Sequence, residues 1–389
     1  RLKARAARLV RWLVKVSWRR LGHPGHAAIA EPDQPAAVPI GIDALDAVVA
    51  AFLRNDRAAW ENRTLALPDW FNDRLDPAGL PYRAQMLRLW EAITGRNSYD
   101  PGVDEDTPEI GELDAIYRPA FYASNDLAFA GKQIMATGHI LMRSDVRPGD
   151  RVLEYGAGFG QTALAFARMG VTVDTVDINP AFCRAVQNSA DHFQVDLNAH
   201  HGRFGDNPAY TAQAYDLILF YESFHHCLDF SMLIPKLSLL LKPGGSVILA
   251  GEPIFEKACA DLPYPWGIRL EWQNVAVMRL RGWMELGFQE KFLQEKFEAA
   301  GFELTTYSDD NSHWARIHQF RRRPESPSHG DFMNMRAGVV WAYRLFLNRE
   351  PDSQELESLS LAESPAKLRS IMTASQQFKS MLDRAGRLF

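Results

Sequence analysis

Between residues 151 and 321, short apolar segments alternate with longer segments in which apolar residues recur at helical spacing. The pattern predicts strands at Val152–Tyr155, Val171–Val176, Leu217–Tyr221 and Val247–Ala250, and helices at Gln161–Arg168, Pro180–Phe193 and Met232–Leu241. Such alternation is typical of βαβ units and a mainly parallel sheet. Phe302–Ser308 and Trp314–Arg321 then predict a closing hairpin with an antiparallel edge strand.

The segments on either side are predicted to be helical. Apolar residues recur at helical spacing from Ile42 to Thr94 and from Leu127 to Met142. Asp100–Glu109 is acidic and contains proline, which predicts a loop. These patterns divide the chain into a helical N-terminal region at 42–119, an α/β domain at 120–323 and a small all-α C-terminal domain at 331–389.

A basic segment begins the chain, and residues 1–21 contain eight Lys or Arg and no acid. On a helix over residues 1–23, several Leu and Val side chains share one face while most of the cations lie on another. The pattern fits peripheral contact with an anionic membrane, and it fits equally a helix docked on the protein body. Prolines then predict an irregular linker at 24–41.

Composition indicates an ordinary folded protein. Of 389 residues, 47% are apolar and the formal net charge is -5, so binding to nucleic acid is not expected. Three scattered cysteines argue against a disulfide framework and indicate a reducing, cytoplasmic location. No apolar run reaches the roughly 20 residues that cross a bilayer. Any membrane contact is therefore expected to be peripheral, at the inner membrane.

A glycine-rich bend follows the first predicted strand of the α/β domain, in the segment Val152-Leu-Glu-Tyr-Gly-Ala-Gly-Phe-Gly-Gln161. Gly156, Gly158 and Gly160 permit positive φ and let the backbone approach a ligand closely. The acid before the bend, Glu154, suits a cofactor with an ammonium group. It would repel the pyrophosphate of a dinucleotide.

Further acids follow the bend at informative distances. Asp177 ends the second strand, twenty-one residues after Gly156, where a carboxylate can accept hydrogen bonds from both hydroxyls of a ribose. Asp206 precedes the strand that ends at Tyr221 and could accept a bond from an adenine amine. A single motif of this kind is weak evidence, but here the glycine bend and the acids that follow it occur together at consistent spacing.

In this order, the segments VLEYGAGFG, VDIN, GD, YDLILFYESFHH and LKPGGSVILAGEP resemble the class I, Rossmann-like S-adenosylmethionine-dependent methyltransferases over residues 120–321. The resemblance implies an α/β fold with a seven-stranded sheet whose last strand is antiparallel. It also implies S-adenosylmethionine as the cofactor, bound across the carboxyl ends of the first strands.

The resemblance also assigns cofactor-binding residues. Glu154 would hold the methionine amine, Gly156 and Gly158 would contact the methionine and sugar, Asp177 would bind the ribose, Ile178 would pack on the adenine, and Asp206 would face the adenine amine. Tyr155 stands where the family often has a small residue or Val, and it could narrow the pocket. The remaining expected contacts are Ala157, Gly160 and Tyr221.

The acceptor is expected beside the segment that leaves the fourth strand. His225 or His226 is the predicted base, because imidazole titrates near neutral pH, with Glu222 orienting it and Glu252 also facing the acceptor. Each histidine could instead cap a helix or pack in the core. A metal site is not expected, since the suitable residue types here, His225 to Cys227 and Asp229, are adjacent and have no spaced partner pair.

The long insertion at 255–288 is predicted to be a lid over the acceptor. Its aromatic and cationic residues could stack on a flat acceptor and grip anionic groups, although half of the aromatics are expected to be ordinary core. These residues are Tyr264, Trp266, Trp272 and Trp283, with Arg269, Arg279 and Arg281.

The C-terminal segment, from Ala342 to Asp352 and again at Ser375–Phe378, resembles a helical domain of unknown function that is attached to bacterial surface proteins and glycan-building enzymes. This suggests O-methylation of a saccharide or a cell-surface polysaccharide. Two alternatives stay open. One is a non-catalytic module that binds cofactor or a partner in a glycan-assembly complex, and the other is a methyltransferase for a small lipid-like or quinone-like acceptor. Oligomeric state is left undetermined by the sequence.

Overall fold

The computed structural model describes residues 38–54, 56, 60, 62–105, 114–117, 126–323, 339–340, 343–344, 350–352 and 355. The chain divides into two compact units, Arg1–Pro324 and Glu325–Phe389. The predicted basic helix at 1–23 and most of the predicted C-terminal domain lie outside the described residues. Among the helices that the structure does describe, none combines the length and apolar character needed to cross a membrane.

In the first unit, the described strands are β1 (Val38–Ile40), β2 (Arg63–Leu65), β3 (Arg151–Tyr155), β4 (Thr172–Asp177), β5 (Leu197–His201), β6 (Tyr215–Tyr221), β7 (Leu241–Ala250), β8 (Ile254–Phe255), β9 (Trp266–Ile268), β10 (Leu286–Gln289), β11 (Phe302–Tyr307) and β12 (Ile317–Arg322). The helices are α1 (Leu45–Arg54), α2 (Leu80–Thr94), α3 (Pro101–Asp104), α4 (Asp114–Tyr117), α5 (Leu127–Arg143), α6 (Gln161–Ala167), α7 (Pro180–Phe193), α8 (Phe230–Leu240), α9 (Trp272–Arg281) and α10 (Glu290–Ala299). Short 3₁₀ turns lie at Ile42–Ala44, Phe224–His226 and His313–Ala315.

A seven-stranded sheet in the order β11-β12-β7-β6-β3-β4-β5 forms the centre of this unit, as the sequence predicted. The strands from β7 to β5 run parallel, and β12 is antiparallel to both of its neighbours. The predicted closing hairpin is β11 and β12, and its edge strand β11 pairs antiparallel to β12. The antiparallel strand β12 lies inside the sheet because it inserts between β7 and β11, and β11 forms the edge.

Alternate residues of the central strands supply two separate cores, because successive side chains of a strand point to opposite faces. Leu153 of β3 belongs to the core that α8 and α10 cover, whereas its neighbour Val152 belongs to the core that α5, α6 and α7 cover. Helices therefore cover both faces, which explains why β6 and β7 read as almost continuous apolar runs.

The N-terminal region and the insertion at 255–288 pack together. Strands β8, β10 and β9 form a small sheet of their own, and α9 lies against α1 and α2. Phe52 and Trp272 meet edge to face at 6.3 Å, and Trp90 Nε1 donates a hydrogen bond to the Gly282 carbonyl at 3.0 Å. Two regions that are separate in sequence thus form one layer beside the central sheet.

Two local predictions were wrong. Val38–Ile40, at the end of the predicted linker, forms β1 and pairs in parallel with β2. The predicted loop Asp100–Glu109 contains α3, because the Asp100 side chain accepts a hydrogen bond from the Gly102 N–H and caps that turn.

Tyr343, expected to be a core residue of the C-terminal domain, is buried.

Removing the Phe297 ring should destabilise the first unit. Phe297 is fully buried and stacks on Phe320 of β12, with ring centroids 3.7 Å apart. We expect Phe297→Ala to lower the free energy of unfolding by about 3–5 kcal/mol, since it leaves a cavity in the core. Urea unfolding followed by fluorescence measures this loss. The exposed Met169→Ala serves as the control, with an expected change within about 0.5 kcal/mol; equal losses in the two variants would contradict the packing described.

Candidate active site

A cavity of about 520 Å³ lies at the carboxyl ends of β3, β4 and β6. Parallel strands bring their carboxyl ends to one edge, where ligands of open α/β sheets bind. Most of the site residues predicted from the sequence line this cavity. They are Glu154, Gly156, Ala157, Gly158, Gly160, Asp177, Ile178, Tyr221, Glu222, His225 and His226.

The glycine bend lies where no larger residue fits. Gly156 has φ +67°, and a Cβ built on it would lie 2.6 Å from the Ser223 Cβ. Gly160 has φ +65° and precedes α6, and its Cβ would lie 2.8 Å from a Val186 methyl. Because only glycine tolerates both the backbone conformation and the close approach, the bend leaves its backbone exposed to the cavity.

Glu154 brings a buried carboxylate to the cavity wall. It is 3% exposed, and its Oε2 is buried without a hydrogen-bond partner in the described part of the chain. Burial raises the pKa of Glu154 to about 8, against the opposing hydrogen bond from the Ala163 backbone. An ionised carboxylate in this position requires a cation beside it, so the residue suits a ligand with an ammonium group.

Asp177 lies at the end of β4 and is fixed by the backbone. Its Oδ1 accepts from the Asn179 N–H at 2.8 Å and its Oδ2 from the Gly158 N–H at 3.1 Å. Burial raises the pKa of Asp177 to about 6, although these two hydrogen bonds oppose the shift. Each oxygen keeps a second acceptor site, and so the carboxylate can still accept hydrogen bonds from a ligand hydroxyl.

Two predicted cofactor contacts lie elsewhere. The Tyr155 side chain does not line the cavity; it is buried against Phe220, and its hydroxyl donates to the Asp206 carbonyl at 2.5 Å. Asp206 is exposed and does not line the cavity either, because its Oδ2 accepts from the Arg203 N–H and closes a turn. The neighbouring Phe204 does line the cavity, and the sequence prediction missed it.

Glu252 organises the loop that follows β6. Its Oε1 accepts from the backbone N–H groups of Ser223 and Phe224, both at 2.8 Å, and its Oε2 accepts from the His225 N–H at 3.1 Å. The same Oε2 lies 2.7 Å from His225 Nδ1. Glu252 is buried behind the loop and does not line the cavity, so the prediction that it faces the acceptor was wrong.

The sequence predicted that Glu222 orients a histidine, but in the described part of the chain its carboxylate bonds to Trp314. The Trp314 Nε1 donates to its Oε1 at 2.6 Å, and Glu252 holds His225 instead. Burial raises the pKa of Glu222 to about 8, with the Trp314 hydrogen bond opposing the shift. Glu222 lines the cavity, and a carboxyl group that titrates near neutral pH can exchange a proton with a bound molecule.

The far end of the cavity is lined by side chains from the N-terminal region and the insertion. Glu105 Oε2 lies 3.4 Å from His226 Nδ1, and Glu285 Oε2 lies 3.7 Å from His225 Nε2. Arg269 bridges Glu285 and Glu271. Burial lowers the pKa of His226, but Glu105 and further carboxylates outweigh it and raise the pKa to about 9. This end of the cavity is therefore rich in negative charge.

The insertion supplies both cavity wall and core. Trp283 and Arg269 line the cavity, whereas Tyr264 stacks on Phe71 and Trp266 meets Tyr82 within the core. The further lining residues that the sequence did not predict include Tyr99, Glu105, Asn274 and Glu285. Glu105 and Glu285 lie in no recognisable motif, and only the packing of the two regions brings them to the site.

Comparison with known proteins agrees with the fold. Residues 127–307 match the model of the family described as Methyltransferase domain. The chain is similar to Ubiquinone biosynthesis O-methyltransferase of Xanthomonas campestris pv. campestris, with 29% identity over 103 residues, which are 26% of this chain and 43% of the relative. It is also similar to Ribosomal protein L11 methyltransferase of Thiobacillus denitrificans, with 26% identity over 242 residues, 57% of this chain and 72% of the relative.

Among solved structures, one similar chain is the 1,6-didemethyltoxoflavin-N1-methyltransferase of Burkholderia thailandensis with bound 1,6-didemethyltoxoflavin and S-adenosylhomocysteine. The alignment of the two covers 56% of this chain and 93% of the Burkholderia chain, at 18% sequence identity and a TM-score of 0.36. This chain spans less than half the length of the ubiquinone relatives that it matches. Residues 127–307 therefore resemble a methyltransferase domain, and the seven-stranded sheet lies mostly within this segment.

Replacing Glu252 by glutamine should weaken the loop after β6. The new NH₂ group is a donor where the loop presents N–H donors, so at least one of them loses its acceptor. We expect Glu252→Gln to lower the free energy of unfolding by about 1–3 kcal/mol, measured by urea unfolding. Glu256→Gln, whose side chain is 56% exposed, should change it by less than about 0.5 kcal/mol. An unchanged stability of Glu252→Gln would show that the loop does not depend on this carboxylate.

Proposed function

We propose that the whole chain is an S-adenosylmethionine-dependent O-methyltransferase that methylates a hydroxyl of a saccharide or a cell-surface polysaccharide. Binding of the cofactor is supported mainly by the buried Glu154 Oε2 at the cavity wall, for which the described residues supply no hydrogen-bond partner. The proposed saccharide acceptor is supported by the charged and hydrogen-bonding side chains at the far end of the same cavity.

The residues of the bend fit the cofactor. Glu154 would hold the ammonium of the methionine part, and the glycine bend would let the backbone lie against it. Asp177 would accept hydrogen bonds from the ribose, and Ile178 and Phe204 would flank the adenine. When bound, S-adenosylmethionine supplies the methyl group of its sulfonium and is left as S-adenosylhomocysteine.

The far end of the cavity favours a hydroxyl-rich acceptor. Glu105, Glu285 and Asn274 can bond to several hydroxyls, and the Trp283 ring offers a face on which a sugar ring can pack. A prenylated acceptor would instead bury apolar surface against these charges, which costs desolvation energy without compensation. The predicted resemblance of the C-terminal domain to glycan-related proteins supports the same choice.

The acceptor hydroxyl must lose its proton as its oxygen bonds to the methyl carbon and the carbon–sulfur bond breaks. Glu222 is the group that we assign to take this proton, because it lines the cavity and its pKa of about 8 lies near neutral pH. Both ring nitrogens of His225 face carboxylate oxygens, of Glu252 and Glu285. His225 is therefore poorly suited to accept the proton of the hydroxyl.

A phenolic or quinol acceptor is the second candidate, because several relatives are named ubiquinone biosynthesis O-methyltransferases. A non-catalytic module is the third. Release of S-adenosylhomocysteine with a panel of sugars and a short-chain quinol separates them: turnover of sugars alone supports the proposal, turnover of the quinol alone supports the second, and no turnover with intact cofactor binding supports the third.

Cofactor binding should depend on pH through Glu154. Its carboxyl group is mostly neutral at pH 7 because its pKa is about 8, whereas the ammonium of S-adenosylhomocysteine favours the ionised form. Affinity should therefore rise by up to about tenfold per pH unit from 6.5 to 8 and then level off. Calorimetry measures the profile. Glu154→Gln should bind more weakly with a flat profile, and a wild-type profile in that variant would contradict the assignment.

Replacing the proposed proton acceptor should abolish turnover while cofactor binding persists. We expect Glu222→Gln to lower kcat about 10²–10⁴-fold, because glutamine cannot take up the proton, and to bind S-adenosylhomocysteine with unchanged affinity. The exposed Glu298→Gln on α10 is the matched control and should retain full activity. Glu222→Gln with normal turnover would exclude Glu222 as the base.

A further inference from the structure

Three side chains at the far end of the cavity bring metal-ligating atoms together. His225, His226 and Glu285 each offer one ligand atom, a ring nitrogen or a carboxylate oxygen, and these three atoms lie within 4.8 Å of one another. The two histidines are adjacent in sequence, and Glu285 follows about sixty residues later from the insertion, so the cluster exists only in the folded chain. We propose that His225, His226 and Glu285 bind one divalent transition-metal ion, such as Zn²⁺ or Co²⁺.

The distances suit a single ion after small side-chain adjustments. Ligand atoms bonded to one ion at about 2.0–2.2 Å lie roughly 3–4 Å from one another, and His225 Nε2 lies 3.7 Å from Glu285 Oε2. Both side chains are at least nine-tenths buried. Two imidazoles with one carboxylate favour first-row transition metals, whereas Mg²⁺ and Ca²⁺ prefer all-oxygen sites.

The surroundings of the cluster are those of a supported site. His225 Nδ1 lies 2.7 Å from Glu252 Oε2, which fixes the ring and directs the other nitrogen to the cluster. A carboxylate behind a ligating histidine is the usual arrangement at metal centres. Arg269 donates to Glu285 and is itself paired with Glu271, so Glu285 is oriented and the charge of Arg269 is offset.

Charge at this end of the cavity also favours a cation. The carboxylates of Glu105, Glu252 and Glu285 surround the two histidines, with Arg269 beside Glu285. Buried carboxylates are stabilised by nearby positive charge, and a divalent ion at this position would supply it. With three protein ligands, the ion keeps open positions toward the cavity, as in metal sites that bind a reactant.

The ion deepens the proposed function. Its open positions would hold the acceptor hydroxyl beside the methyl donor, while Glu222, which is not part of the cluster, takes the proton. Ion binding itself is independent of the reaction, but this role rests on the proposed function. The two can therefore fail separately.

Metal binding to the tag-free full chain tests the proposal. After dialysis against EDTA, Co²⁺ is titrated by calorimetry and by visible absorption, and Zn²⁺ content is measured by mass spectrometry. We expect one ion per chain with visible bands typical of nitrogen and oxygen ligands, and no comparable uptake of Mg²⁺. His226→Gln and Glu285→Asp should each weaken Co²⁺ binding at least about 100-fold, whereas the exposed His192→Gln should not change it.

Binding of S-adenosylhomocysteine by each variant serves as the folding control and separates the possible failures. One ion per chain that depends on His226 and Glu285 supports the site, even when no acceptor is methylated. No stoichiometric ion, preference for Mg²⁺, or binding that is equal in His226→Gln and His192→Gln overturns it. Full methyl transfer by the metal-free protein would overturn the role of the ion and leave the proposed function standing.

Discussion

A carboxylate buried at the end of a strand needs a partner of opposite charge, and Glu154 has an oxygen that no described group satisfies. This constraint determines the rest of the site. The glycine bend beside Glu154 gives a ligand access to the backbone, and Asp177 is held by the Gly158 N–H at 3.1 Å, within the same bend. A ligand that carries an ammonium and a sugar satisfies both acids at once.

The far end of the cavity depends on a different kind of packing. Residues before the central sheet and residues inserted after β7 form one layer, in which Trp90 of α2 bonds to the Gly282 carbonyl. This layer carries Glu105 and Glu285 to the two histidines that leave β6. The strands β3, β4 and β6 thus supply the glycine-bend side of the cavity, and the N-terminal region and the insertion supply much of its far end.

The sequence was sufficient for the sheet and for most of the residues that line the glycine-bend side of the cavity, because both depend on local patterns. Glycines at φ-sensitive positions and acids at strand ends are visible in a single chain, and Glu154 and Asp177 both line the cavity. Asp206 failed because the direction of a side chain in a turn depends on its own backbone hydrogen bonds. Glu252 was placed wrongly and Glu285 was not predicted, since both lie where they do through contacts with His225 across 27 and 60 residues of sequence.

Proton release on cofactor binding tests the central claim most directly. Calorimetry of S-adenosylhomocysteine binding at pH 7, repeated in buffers of different ionisation enthalpy, counts the protons that leave the protein. Since the pKa of Glu154 in the free protein is about 8, pairing with the ligand ammonium should release close to one proton. Binding without proton release, or no binding to the folded chain, would contradict the account.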